Sequence, residues 1–187
     1  MRVGYAYMDN VLTPEDCSQI IKVGSTGLEH ATVVKEGGSI SKEGGSISEV
    51  RKSQTYFFEK GCELDALMQR SADAMCHLAA KLLNTNLQHI EPIQFSDYKK
   101  GDHYGWHYDQ VGVMADQTQH FDRHISASLE LCDPETYEGG GLEFFGIGDD
   151  VPERKQGRII VFSSMMCHRA REVTAGRRCS LVLWGRS

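Results

Sequence analysis

No apolar run in the 187-residue chain reaches the roughly 18 residues that a membrane-spanning helix needs. The opening stretch MRVGYAYMDN lacks the apolar core of a secretory leader, so the cytoplasm is the expected compartment. An excess of basic residues is also missing. The formal net charge is -6, which argues against a nucleic-acid or anionic-membrane partner, although HRAR and GRRCSLVLWGR gather basic residues late in the chain. None of the six cysteines forms a C-x-x-C pair. That spacing speaks against a zinc ribbon and a disulfide framework alike, leaving free thiols as the expectation.

Alternation of strand and helix at βαβ spacing is absent too. The N-terminal half instead carries two helical patterns. TPEDCSQIIKVG has Thr13 as a cap, Pro14 at the first helical position and Asp16 completing a capping box, with Cys17, Ile20 and Ile21 on one face. Residues 63–83 place Leu64, Leu67, Met68, Met75, Leu78 and Leu82 at three- and four-residue steps. His77 lies beside that face and reads as a half-buried helix histidine. Between these patterns, KEGGSIS occurs twice in tandem over residues 35–48. So short a unit is no solenoid repeat, and its glycine, serine and charge suit a tolerant loop. Slippage explains it, with a lid over an active site as the alternative. RKSQTYFF follows as a strand.

The second half consists of short apolar stretches between glycine and polar turns: IEPIQFSDY, HISASLELC, GLEFF, RIIVFSS and RCSLVLWG. Successive short strands predict a sandwich or barrel. The expected class is α+β, with N-terminal helices (about residues 1–90) packed on one face of a jelly-roll core (about 91–187), all within one domain of 1–187.

The chemistry centres on GDHYGWHYDQ. On a strand, His107 and Asp109 point to one face, where an imidazole and a carboxylate can hold a metal from one side. H-x-D alone is common by chance and needs a third ligand. His168, at the end of GRIIVFSSMMC, supplies one. Two histidines and a carboxylate make the facial triad of non-haem iron(II) oxygenases, which leaves coordination positions open. Downstream, RRCSLVLW alternates Arg178, Ser180, Val182 and Trp184 on one face against Cys179, Leu181 and Leu183 on the other. An inward arginine on an apolar strand demands a partner, and a ligand carboxylate pairs with it bidentately. Ser180 is placed to add a hydrogen bond to the same carboxylate. A dicarboxylic 2-oxoacid fits, its oxo end on the metal and its far carboxylate on Arg178.

These stretches, together with YMDNVLTPEDCSQII and the turn YEGGGLEFF, resemble the 2-oxoglutarate- and iron(II)-dependent dioxygenases of the prolyl 4-hydroxylase superfamily, over nearly the whole chain. The resemblance implies a double-stranded β-helix. It implies iron(II) on His107, Asp109 and His168, with 2-oxoglutarate on Arg178 and Tyr98, O2 as cosubstrate and ascorbate as reductant. Tyr104 and Trp184 match pocket aromatics, and Arg123 an arginine that contacts substrate. A proline-containing peptide is the implied partner. One departure is Glu130, where many relatives carry an aromatic residue. Arg177 competes with Arg178 for the anchor role, and strand phase favours Arg178. Gly139, Gly140 and Gly141 read as turn glycines, and His103, His120 and His124 as surface histidines. Two rival classes remain: a divalent-metal enzyme that is no oxygenase, and an inactive binding module on the same fold.

Overall fold

The computed structural model describes residues 4–31, 50–110, 123–147 and 152–187, without the side chains of residues 82 and 83. The tandem repeat of 35–48, His120 and the Leu82 side chain lie outside the described residues.

Helix α1 (Pro14–Gly24) begins as expected. Thr13 accepts from the Asp16 amide at 3.2 Å while Asp16 accepts from the Thr13 amide at 3.0 Å, closing the capping box. Cys17 and Ile20 are buried beneath it and Ile21 packs beside them. Helix α2 (Asp65–Leu83) buries Leu64, Leu67, Met68, Met75 and Leu78. His77 is exposed, not half-buried, because its position has turned past the apolar stripe.

The strands are β1 (Tyr5–Met8), β2 (Glu29–His30), β3 (Arg51–Lys52), β4 (Gln54–Phe58), β5 (His89–Ile90), β6 (Ile93–Lys99), β7 (His103–His107), β8 (Ile125–Glu130), β9 (Tyr137–Gly139), β10 (Leu142–Phe144), β11 (Ile159–Ser163), β12 (His168–Ala170) and β13 (Val173–Arg186). Among the described residues they form a nine-stranded sheet, ordered β1-β11-β8-β13-β6-β4-β2 with β5 and β9 paired to β13. A four-stranded sheet, β10-β12-β7-β3, makes the second layer. This is the double-stranded β-helix with helices on one face. The N-terminal part is more than helical support. β1 pairs with β11, β4 with β6, and β3 joins the small sheet. RKSQTYFF is also two strands, since the chain changes sheets at Ser53.

The large sheet has two unlike faces. Ala127, Leu129, Cys179, Leu181 and Leu183 are fully buried in one core with Met75 and Ala79 of α2. Each large side chain so buried contributes roughly 1.5–3 kcal/mol. The alternate residues of β8 and β13 face the small sheet and line the site. Gly139 and Gly140 take φ of +72° and +66° at the YEGGG turn, and a Cβ on Gly139 would stand 2.1 Å from the Glu172 carbonyl oxygen, so glycine is required there. The six cysteines are free. No described helix is long and apolar enough to cross a membrane.

Candidate metal centre and cosubstrate pocket

His107 closes β7 and His168 opens β12, and the two are direct cross-strand partners. Asp109 lies two residues beyond the end of β7 and not on the strand. Its amide donates to the Ser164 carbonyl at 3.1 Å, and this turn keeps its carboxylate on the histidine side. Asp109 Oδ1 is 3.5 Å from His107 Nε2, and Oδ2 is 3.5 Å from His168 Nε2. The three potential ligand atoms lie within 4.8 Å of one another.

Each imidazole is oriented by the backbone carbonyl two residues before it. His107 Nδ1 is 2.8 Å from the Gly105 carbonyl oxygen and His168 Nδ1 is 2.9 Å from that of Met166. Nδ1–H donates in both contacts, so the lone pair stands on Nε2, the atom facing Asp109. Burial holds the His168 pKa below its ordinary value, against the pull of Asp109, and the ring is neutral at pH 7. Burial works against ionised Asp109, but His107, His168 and Ser126 outweigh it and hold the carboxyl well below its usual range. Two pre-oriented imidazoles and one ionised carboxylate on one side of a cavity fit a divalent cation with open positions.

The cavity lies between the sheets. Its lining includes Tyr98, Tyr104, His107, Asp109, His168, Arg178, Ser180 and Trp184, and among described residues also Arg51 and Gln94. Tyr104 stacks on His107 with centroids 3.5 Å apart, and burial pushes its phenol up to about 12, so it is a donor at neutral pH. Arg123 is absent from the lining. It binds both oxygens of Glu91, at 2.9 and 2.7 Å, and lies over the Trp184 ring 3.8 Å from the centroid. Arg51 was not foreseen. It is buried, donates to Ser53 Oγ at 3.0 Å and stands over Tyr104 at 4.6 Å.

Arg178 faces the cavity and Arg177 the opposite side, where it binds Asp97 Oδ1 at 2.7 Å and Ser25 Oγ at 2.8 Å. Arg178 does not wait for a ligand. Its Nε donates to Glu130 Oε2 at 2.9 Å, and both residues are buried. Burial opposes the charge on Arg178, but Glu130 more than offsets this and keeps it a cation. Among the described residues no hydrogen bond occupies the Nη atoms, so a carboxylate still has donors there, and Ser180 and Tyr98 share the same end of the pocket.

A two-layer β-helix holding a His-Asp-His cluster defines the class. Residues 93–186 match the model of the 2OG-Fe(II) oxygenase superfamily, half of the chain, and the chain belongs to that superfamily. It is 33% identical over 96 residues to a PKHD-type hydroxylase of Teredinibacter turnerae, covering 51% of this chain and 42% of that protein. It is 29% identical over 187 residues to a PKHD-type hydroxylase of Crocosphaera subtropica, covering 95% and 76%. The chain thus spans less than half of the length of the first of these relatives. In fold it is similar to the viral collagen prolyl hydroxylase of Paramecium bursaria Chlorella virus-1, with TM-score 0.72, 20% identity and coverage of 99% and 97%. A Pseudomonas putida prolyl-4-hydroxylase gives TM-score 0.70, 20% identity and coverage of 98% and 92%.

Proposed function

We propose that this chain, acting as one domain over 1–187, is a 2-oxoglutarate-dependent dioxygenase that hydroxylates an unactivated C–H bond of a peptidyl proline. The observation that carries the reading is the pair of Nε2 atoms turned on Asp109 at 3.5 Å, in a cavity that ends on Arg178. Iron(II) on the triad, with 2-oxoglutarate and O2, supplies the oxidising power. One oxygen atom enters the substrate as hydroxyl and the other enters succinate, with release of CO2.

The chain's own residues do the rest. His107 and His168 present lone pairs because their Nδ1 protons are engaged elsewhere. Asp109 supplies the charge. Arg178, Ser180 and the Tyr98 hydroxyl hold the far carboxylate of the cosubstrate. Phe162, Leu142 and Val182 keep the cavity apolar beside the metal position and exclude water. Tyr104 and Trp184 shape the substrate side, with Arg123 acting through Trp184 and Glu91. A proline-containing peptide or protein is the proposed partner, in keeping with the prolyl hydroxylases that share the fold, and no nucleic acid or membrane is required. Ascorbate, as reductant of oxidised iron, and a cytoplasmic location belong to the same reading.

One observation favours a second reading. Arg178 already has a carboxylate partner, as it would in a divalent-metal enzyme that never binds a dicarboxylate. Succinate formation distinguishes the two. With iron(II), 2-oxoglutarate, O2 and a library of proline-containing peptides, the first reading gives peptide-stimulated succinate and a product heavier by one oxygen atom. The second gives neither.

A further inference from the structure

Strand β8 turns Ser126, Ser128 and Glu130 toward the small sheet, and Glu130 stands directly across from Ser180 of β13. The Glu130 carboxylate is buried, with Oε2 on Arg178 Nε at 2.9 Å and Oε1 without a hydrogen-bond partner among the described residues. The buried Tyr137 hydroxyl lies beside it, where burial and then Glu130 raise its pKa, and it makes no other hydrogen bond among the described residues. The stem of Arg178 is packed along one side. A Cβ on Gly140 would lie 3.0 Å from Arg178 Cδ and 3.0 Å from Val173 Cγ2, so the backbone of the YEGGG turn lies against its stem. Arg178 lines both the triad cavity and an adjoining one that Glu130 also lines, so behind the far end of the pocket stands a buried ion pair of zero net charge whose guanidinium retains donors.

We propose that Glu130 is a specificity-determining residue that lowers the preference for a dicarboxylic 2-oxoacid over a 2-oxoacid whose far end is neutral and hydrogen-bonding. The proposal rests on the cosubstrate reading above. Two carboxylates on one guanidinium lie within about 6 Å of each other, and at the effective dielectric of a protein interior their repulsion is worth roughly a hundredfold in binding. A neutral amide end accepts from the same guanidinium without that repulsion. Arginine alone at this position would instead demand an anion, because an unpaired buried cation is costly.

The test is an anaerobic calorimetric titration of the iron(II)-loaded chain with 2-oxoglutarate and with its 5-amide. Native protein is expected to favour 2-oxoglutarate by less than about tenfold. Glu130→Gln keeps a hydrogen-bond acceptor for Arg178 Nε and removes only the charge. It is expected to tighten 2-oxoglutarate by at least about tenfold and to leave the amide within about threefold. A native preference for 2-oxoglutarate above about tenfold overturns the proposal, and this comparison needs no variant. Weaker or unchanged 2-oxoglutarate binding in folded Glu130→Gln also overturns it, since the glutamate then only positions the arginine, and the cosubstrate reading survives. If neither ligand binds native protein or variant, the cosubstrate reading falls and the proposal with it.

Discussion

Tyr104 lies flat on His107, ring centroids 3.5 Å apart and planes within 10°, while Arg51 stands over the Tyr104 ring at 4.6 Å. His107 is thereby held by a stack as well as by the Gly105 carbonyl. Supports of this kind are worth about ten- to hundredfold in metal affinity. Tyr104→Ala should weaken iron(II) binding by that amount in competition with a chromophoric chelator, and Tyr104→Phe, which keeps the stack, should not.

The Arg178–Glu130 pair yields a stability prediction independent of any ligand. Removing one member of a buried pair leaves the other charge desolvated, at a cost of about 3–5 kcal/mol. Arg178→Leu and Glu130→Leu should each lower stability by that much in urea unfolding. The double variant should lose well under the sum of the two single losses, because neither charge is then stranded. Additive losses would mean that the two residues do not share a partner.

Asp9 reaches Lys155 Nζ at 3.0 Å and Arg158 through both Nε and Nη2, joining the chain start to the strand β11 region. Its pKa is lowered from 3.8 to about 2, chiefly by the hydrogen bond from Arg158. A depressed folded-state pKa gives stability that is present above 3.8 and lost as pH falls through about 2. With Asp9 30% exposed, solvent screening limits the contribution to about 1 kcal/mol. Asp9→Asn should cost that much at neutral pH and flatten the stability curve between pH 4 and 2, measured by denaturant midpoints across that range.

Much of this arrangement is legible in short-range pattern. Period-two alternation in RRCSLVLW separates Arg178 from Arg177, and the two do face opposite ways. Thr13, Pro14 and Asp16 mark the start of α1 because capping is decided within one turn. What escaped depends on long-range pairing. Arg51 enters the site only because the chain changes sheets at Ser53 and pairs Arg51 with Tyr104, which no local signal announces. The same holds for β1 beside β11, so the N-terminal region read as more helical than it is. Glu130 is a different case. Its strand HISASLELC places it inward with Ser126 and Ser128, and an inward glutamate and an inward arginine each need a partner. A ligand carboxylate and the Glu130 carboxylate satisfy the same inward arginine, so strand pattern alone does not choose between them.

In the proposed enzyme iron(II) and a 2-oxoacid meet at His107, Asp109 and His168, and one measurement tests this most directly. Iron(II) is added anaerobically to the native chain, then 2-oxoglutarate, and the visible metal-to-ligand charge-transfer band is followed. The predicted result is a saturable band in native protein that disappears in His168→Ala and Asp109→Ala. It weakens strongly in Arg178→Leu and persists in Arg177→Leu, whose side chain is held by Asp97 on the far face. No band in the native protein, or an unchanged band in His168→Ala, would contradict the assignment of the metal centre.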